Sequence, residues 1–381
     1  MNFVTLHVRL TRDCNAHCSY CSSAGVSEGR MSVTDYKSSL DYIIESIFPK
    51  MGVGLNHFLT VEFLGGEILL VPEKDLEEVV SYTRKKIQPI VKGYRDGAQS
   101  NLIGSQRKII ALHDLFSGNL GTSWDNHTGQ RHIKGSAELY RGILNRSLSA
   151  LNTERNHNPG RVLVVDKSSA PFIEKEVSDA IEGNYDLVLR PVFQGGSQDV
   201  EHIEADELSG LLQSCYSIWS QKPSVRVEPF QSLFTKRISR GKANEGGIDP
   251  ALRTAGCPFQ SDCAFKSLSL DPDGALHICQ EMADASHYPL GNAIDRIFDE
   301  RTWRLLARRT AHLTSDCQKC KWRDECGGGC MNEAIETHGD PFAKTELCGA
   351  WKAIFRRIET DIESGRATLI EQEIKRCQVE A

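Results

Sequence analysis

Apolar and polar residues alternate along Phe3-Val4-Thr5-Leu6-His7-Val8-Arg9-Leu10, a period that predicts a strand near the start of the chain. Beyond it, Ser32 or Thr34 can cap a helix. Tyr36, Leu40, Ile43, Ile44 and Ile47 then recur at helical spacing, with Pro49 expected just past the end. The run Phe58-Leu59-Thr60-Val61-Glu62-Phe63-Leu64 reads as a buried strand, and residues 72–91 as a helix with Pro72 near its first turn. Strand-like pieces follow at 98–103, 119–123, 161–165 and 186–192, with helical patterns at 105–116, 136–151 and 170–182 between them. Such alternation implies an α/β fold whose parallel sheet has right-handed crossovers. The pattern fits a doubly wound sheet and a partial barrel equally.

Further along, Leu208, Leu211, Leu212, Cys215 and Trp219 mark one face of a helix over 208–219, where Cys215 packs as a small buried hydrophobe. Residues 225–230 suggest another strand. The polar, glycine-rich stretch 241–247 reads as a linker. A β-hairpin is expected over 269–279, turning at Asp273-Gly274, and helices over 331–338, 350–362 and 366–377.

Composition narrows the class. A chain of 381 residues can hold two to three domains, and its net charge of −6 argues against a protein that coats nucleic acid. No apolar run is long enough to span a bilayer, and the first strand starts too early for a signal peptide. The expectation is a monomer that binds neither nucleic acid nor membrane. Thirteen cysteines, an odd number with CxxC and CxxxC spacings, suit metal or cluster ligation in a reducing compartment, the cytoplasm.

Eleven of those cysteines fall into two groups. Cys14, Cys18 and Cys21 sit within eight residues as CxxxCxxC, a spacing that requires a loop at the end of the first strand. Three thiolates can hold three corners of a [4Fe–4S] cube and leave the fourth iron open to a small molecule; a three-cysteine zinc site is the alternative. Eight more thiols, Cys257, Cys263, Cys279, Cys317, Cys320, Cys326, Cys330 and Cys348, are enough for two complete four-cysteine sites. Zinc suits such tetrahedra as well as iron does, and spacing does not separate the metals. Gly327-Gly328-Gly329 would let the chain wrap tightly and aim N–H groups at sulfur. Gly65-Gly66-Glu67, just past the second strand, offers close backbone approach and a carboxylate for an ammonium group.

The CxxxCxxC motif, with aromatic Tyr20 before its last cysteine, resembles the signature of the radical S-adenosylmethionine (SAM) enzymes. That resemblance implies a partial (β/α)6, TIM-like barrel, over 1–215. It also implies that SAM chelates the open iron and is cleaved by an electron from the cube to a 5′-deoxyadenosyl radical. Gly65, Gly66 and Glu67 match the family's GGE motif, which contacts the SAM amino group, although Ile68 stands where the family has proline. Gln99-Ser100-Asn101 and Ser123-Trp124-Asp125 resemble its TNG and SxD positions, which makes Ser123 and Asp125 ribose contacts. Asn126 replaces the usual glycine after that Asp. Arg131 stands near the family's arginine that pairs with the SAM carboxylate, and Arg190 competes for that role. Tyr20 completes the expected set of SAM-binding residues.

The spacing of the later thiols resembles the SPASM domain, a small Cys-rich module with two auxiliary [4Fe–4S] clusters, over 251–355. By the family pattern Cys257, Cys263, Cys279 and Cys330 hold the nearer cluster. Cys317, Cys320, Cys326 and Cys348 hold the farther one. Residues 216–250 would bridge the two modules and 356–381 form a C-terminal helix, with Cys377 a bystander.

Two fully ligated auxiliary clusters imply that an electron is carried away from a substrate radical. The expected reaction is a net two-electron oxidation of a ribosomally made peptide or a protein side chain, forming a cross-link, thioether or carbonyl. Sulfatase-maturing enzymes share the layout, but they carry an aspartate base immediately after the third ligand of the nearer cluster. Here that residue is Gln280, and Glu281 would point elsewhere on a strand. Cys14 lies too near the start for a leader-binding domain ahead of it. This implies a separate leader-binding protein or a small-molecule substrate such as an aminocyclitol or sugar. Arg304, Arg308 and Arg309 would form a basic face, solvated or docking an acidic flavodoxin or ferredoxin donor. A non-catalytic zinc-ribbon interaction protein is the reading from another class.

Overall fold

The computed structural model describes residues 2–24, 29–192, 198–242, 257 and 262–380. The chain divides into two compact units, each discontinuous in sequence. One comprises Met1–Pro159, Phe193–Asp199 and Asp262–Arg309; the other comprises Gly160–Val192, Val200–Ser261 and Thr310–Ala381.

The first unit is built around the strand Asn2–Arg9. His57–Leu64 runs parallel beside it, in register from Asn2 opposite His57 to Arg9 opposite Leu64. Gly93–Ser100 and Leu120–Ser123 extend the parallel sheet on that side. Val4, Leu6 and Val8 point to one face and are 1% exposed or less, as are Leu59, Val61 and Phe63 beside them. Burying such a side chain stabilises by roughly 1.5–3 kcal/mol. The alternate residues Thr5, His7 and Arg9 fall on the opposite face, as period-2 geometry requires.

Helices cover the apolar face. Ser32 caps Val33–Tyr42, its side chain accepting from the Asp35 N–H. The helix then passes through a π turn, Ile43–Ile47, into Phe48–Met51. Pro49, expected beyond the end, instead sits in the first turn of that last segment, where a missing N–H is tolerated. Glu73–Ile87 packs alongside, and the Tyr36 and Thr83 hydroxyls meet at 2.6 Å.

Two differences from the sequence pattern matter here. The third strand begins at Gly93, not near 98, because tertiary contacts satisfy its polar residues. Asp96 accepts from Arg84 Nε at 2.7 Å and from the Tyr94 hydroxyl at 2.8 Å. It ends at Ser100, and Leu102 has a left-handed φ of 57°. Second, the expected hairpin, Ser267–Leu270 with Ala275–His277, joins the sheet: Ser267–Leu270 lies parallel to the first strand, Thr5 opposite Ser267. Gly274 supplies the positive φ of its turn.

The second unit has its own parallel strands, Gly160–Val165, Leu187–Pro191 and Val227–Glu228. Ala205–Trp219 packs against Cys348–Glu363, and the Tyr216 hydroxyl donates to Asp361 at 2.8 Å. Tyr216, Trp219, Phe230 and Phe234 form an aromatic core there, and Cys215 is fully buried. The strand expected over 225–230 shrinks to two residues because Phe230 opens the helix Phe230–Lys242. Gly241 and Lys242 end that helix, and the rest of the predicted linker lies outside the described residues. The C-terminus is two helices, Cys348–Glu363 and Arg366–Glu380.

Candidate functional site

The loop with the first three cysteines leaves the C-terminal end of the strand Asn2–Arg9, the edge where α/β folds place their chemistry. Its backbone packs directly on the glycine pair. Gly66 N donates to Thr11 O at 2.9 Å, and Glu67 N to Asp13 O at 2.8 Å. A Cβ on Gly66 would stand 2.2 Å from Asp13 O, and one on Gly65 2.3 Å from Thr11 O. The close approach expected of these glycines is therefore made by the cysteine loop itself. The loop is also less irregular than expected: His17–Cys18 forms a two-residue antiparallel ladder with Arg131–His132, pairing Cys18 with Arg131.

Cys14 is exposed; Cys18 and Cys21 are half-buried. The Ala16 N–H bonds the Cys14 sulfur, and Asn101 Nδ2 lies 3.8 Å from it. Burial pushes the Cys18 thiol up to about 11; Arg131 opposes the shift, while the thiols of Cys21 and Cys14 add to it. Three soft donors that influence one another electrostatically, with N–H groups directed at the Cys14 sulfur, suit a cluster whose positive iron displaces the thiol protons.

Arg131 is held beside these thiols. Its guanidinium is buried, donating from Nε to the Tyr140 hydroxyl at 2.7 Å and from Nη1 to the Tyr20 hydroxyl at 3.2 Å. Burial pushes Tyr140 up to about 12 and raises Tyr20 as well, so both phenols stay neutral. Asp125, expected at a ribose, is engaged by its own turn. It accepts from the Thr128 N–H at 2.9 Å, the Thr128 hydroxyl at 2.8 Å and the Arg131 N–H at 3.3 Å. It thereby shapes the segment that presents Arg131. The left-handed residue in that turn is Gly129, not Asn126. Ser123 accepts from Gln99 at 3.3 Å. Arg190 lies on the strand Leu187–Pro191 of the other unit.

In the second unit Cys317, Cys320, Cys326 and Cys348 line one pocket, together with Trp322, Lys344, Lys352 and Phe355. Gly327, Gly328 and Gly329 all have φ between 60° and 80°, a run only glycine adopts readily. The N–H groups of Gly328 and Gly329 bond the Cys326 sulfur. Burial, then the Cys348 thiol, pushes Cys326 up to about 11. Among the described residues no three His, Cys, Asp or Glu side chains close on a single ion; these four thiols ring a volume instead. Of the other four cysteines, Cys263 opens the helix Cys263–Lys266 and Cys279 caps Gln280–Asp284, both in the first unit. In the second, Cys330 caps Met331–His338 and Cys257 is exposed.

Sequence reasoning missed a buried set of charges next to the first loop. Arg9, Arg12, Asp271 and Asp284 are each 5% exposed or less at the side chain. Arg9 pairs with Asp284, with Nη2 2.9 Å from Oδ2, and reaches Asp271 at 3.5 Å. Arg12 pairs with Asp271 and lies 3.2 Å from Asp284. The hydroxyls of Ser22 and Ser23, just past Cys21, donate to Asp284 Oδ2 at 2.7 and 2.9 Å. Burial alone would raise the Asp284 carboxyl, but Arg9 and these hydrogen bonds hold it below the usual range. A charged residue inside an apolar strand, as in Leu6-His7-Val8-Arg9-Leu10, was the available signal, since buried charge demands a partner.

Two expectations are corrected. Gln280 and Glu281 lie on the short helix Gln280–Asp284, not on a strand, because the chain turns at the Cys279 cap. Arg309 is fully buried, so it forms no basic face with Arg304, which is paired with Glu300.

No protein-family model matches the chain. A cysteine-type anaerobic sulfatase-maturating enzyme of Clostridium perfringens, found in two strains, is 20% identical over 357 residues, spanning 90% of this chain and 92% of the relative. Among solved structures, anSMEcpe with bound AdoMet and the Kp18Cys peptide superposes with a TM-score of 0.74 at 17% identity, covering 95% of this chain and 99% of that one. Streptococcus suis SuiB bound to S-adenosylmethionine gives 0.59 at 15% identity, with 91% and 77% covered. SuiB bound to the precursor peptide SuiA gives 0.58 at 14%, with 91% and 76% covered. These structures share the fold described above.

Proposed function

We propose that this chain is a radical SAM enzyme with a SPASM domain, as its similarities support, and that it oxidises a side chain of a ribosomally made peptide or a protein. The similarity to the Clostridium perfringens maturase carries this reading, because it runs nearly end to end and one of the matching structures holds both AdoMet and a peptide. SuiB with its precursor peptide supports the same substrate class. When bound, an N-terminal [4Fe–4S] cluster would supply the electron that cleaves SAM. Cys14, Cys18 and Cys21 would hold that cluster. Arg131 would meet the SAM carboxylate and Glu67 its ammonium group, through acceptor capacity left beyond its three hydrogen bonds. Ser123 would face the ribose. Cys317, Cys320, Cys326 and Cys348 would hold an auxiliary cluster for electrons leaving the substrate. A flavodoxin or ferredoxin would supply electrons.

The test is anaerobic reconstitution with iron and sulfide, followed by incubation with SAM, a reductant and a panel of candidate peptides. Brown protein, 5′-deoxyadenosine release and a peptide lighter by two hydrogens are expected. Colourless protein that holds only zinc would end the proposal.

A further inference from the structure

The buried charges next to the first cysteine loop have a consequence that rests on the assignment of Cys14, Cys18 and Cys21 as cluster ligands. Arg9 and Arg12 precede the loop, while Asp271 and Asp284 come from the hairpin and helix on either side of Cys279. Each arginine faces both aspartates, so the square carries two charges of each sign and is neutral. Its side chains are nearly sealed from water, where charges interact far more strongly than at the surface and salt screens them little.

We infer that the square Arg9–Asp271–Arg12–Asp284 sets the reduction potential of the N-terminal cluster through its balance of buried charge. Hydrogen bonds connect it to the cysteine loop. Asp284 Oδ2 takes the hydroxyls of Ser22 and Ser23, the two residues that follow Cys21. A cluster gains negative charge on reduction, so nearby positive charge favours the reduced form and negative charge the oxidised form. Neutralising one corner of the square leaves an uncompensated charge of known sign. A clamp with only a structural role would respond to every such change in the same way, by loosening the loop.

The experiment uses the full-length, reconstituted protein. EPR follows a reductive titration of the signal that changes when SAM is added, which identifies the N-terminal cluster. Asp284→Asn is expected to move its midpoint to a more positive potential and Arg9→Met to a more negative one. If iron is lost from either variant, Asp271→Asn and Arg12→Met repeat the comparison at the other two corners. Shifts in one direction only, or none, in proteins that keep the signal would overturn the inference alone. A parent protein with no SAM-responsive signal would overturn the ligand assignment and this inference with it.

Discussion

Glu67 accepts a hydrogen bond from the Asn101 N–H at 2.6 Å, fastening the turn after one strand to the end of the next. The same carboxylate takes the Ser100 hydroxyl at 2.7 Å and the Leu69 N–H at 3.0 Å, and is almost wholly buried. Its own N–H donates to the cysteine loop at Asp13. One residue thus fixes three segments. Glu67→Gln would turn an amide NH2 toward groups that donate, leaving a buried donor unpaired at a cost of about 1–3 kcal/mol. The urea midpoint should fall with its slope unchanged, and SAM should bind more weakly by equilibrium dialysis.

The two cysteine sets should separate under mutation. Cys14→Ala and Cys326→Ala are each expected to lose about one cube's worth of iron. Only Cys14→Ala should abolish SAM cleavage and the SAM-responsive EPR signal. Cys14 belongs to the first loop, whereas Cys326 lines the cavity in the other unit. Cleavage that survives Cys14→Ala would refute the assignment of the first loop.

How much of this was legible depends on the range of the interactions involved. His57–Leu64 was readable because an apolar run records a buried strand locally. The start of Gly93–Ser100 was not, because Asp96 is a strand residue only by virtue of Arg84 on a neighbouring helix. The CxxxCxxC spacing announced the cysteine loop, while the ladder that pairs Cys18 with Arg131 joins residues far apart in the chain. The hairpin was visible from its Asp-Gly turn, yet nothing in 267–270 shows that it lies against residues 5–8. Nothing in the residues beside Asp284 marks it either. Its role follows only once the sheet brings Arg9 to it.

Acid should weaken the first unit through His157. Its ring packs 4.9 Å from that of His113, and its Nδ1 is buried without a hydrogen-bond partner. Burial, and then His113, lowers its pKa in the folded state. The unfolded chain therefore takes up the proton first as pH falls below about 6.5. The stability this histidine contributes is complete above that value and is lost as pH drops toward the lower folded value. Urea midpoints measured at several pH values between 7.5 and 5 (roughly, spanning the ordinary histidine range) should decline, and His157→Phe should flatten the decline.

The residue after Cys279 should decide whether a cysteine can be taken to an aldehyde. Gln280 begins the helix capped by Cys279, and its amide accepts no proton at neutral pH. Asp284, one turn further along, is tied to Arg9 and held below the usual carboxylate range, so it makes a poor base. With a cysteine-containing sulfatase-type peptide, the parent protein should release 5′-deoxyadenosine without forming aldehyde, as read by hydrazide capture and mass spectrometry. Gln280→Asp introduces an acid in the first helical turn, a position that favours negative charge, so iron content should be preserved. Aldehyde should then form, at about 10²-fold or more above any background from the parent, the usual range for a positioned base. Equal aldehyde from both proteins would show that proton removal does not depend on this position.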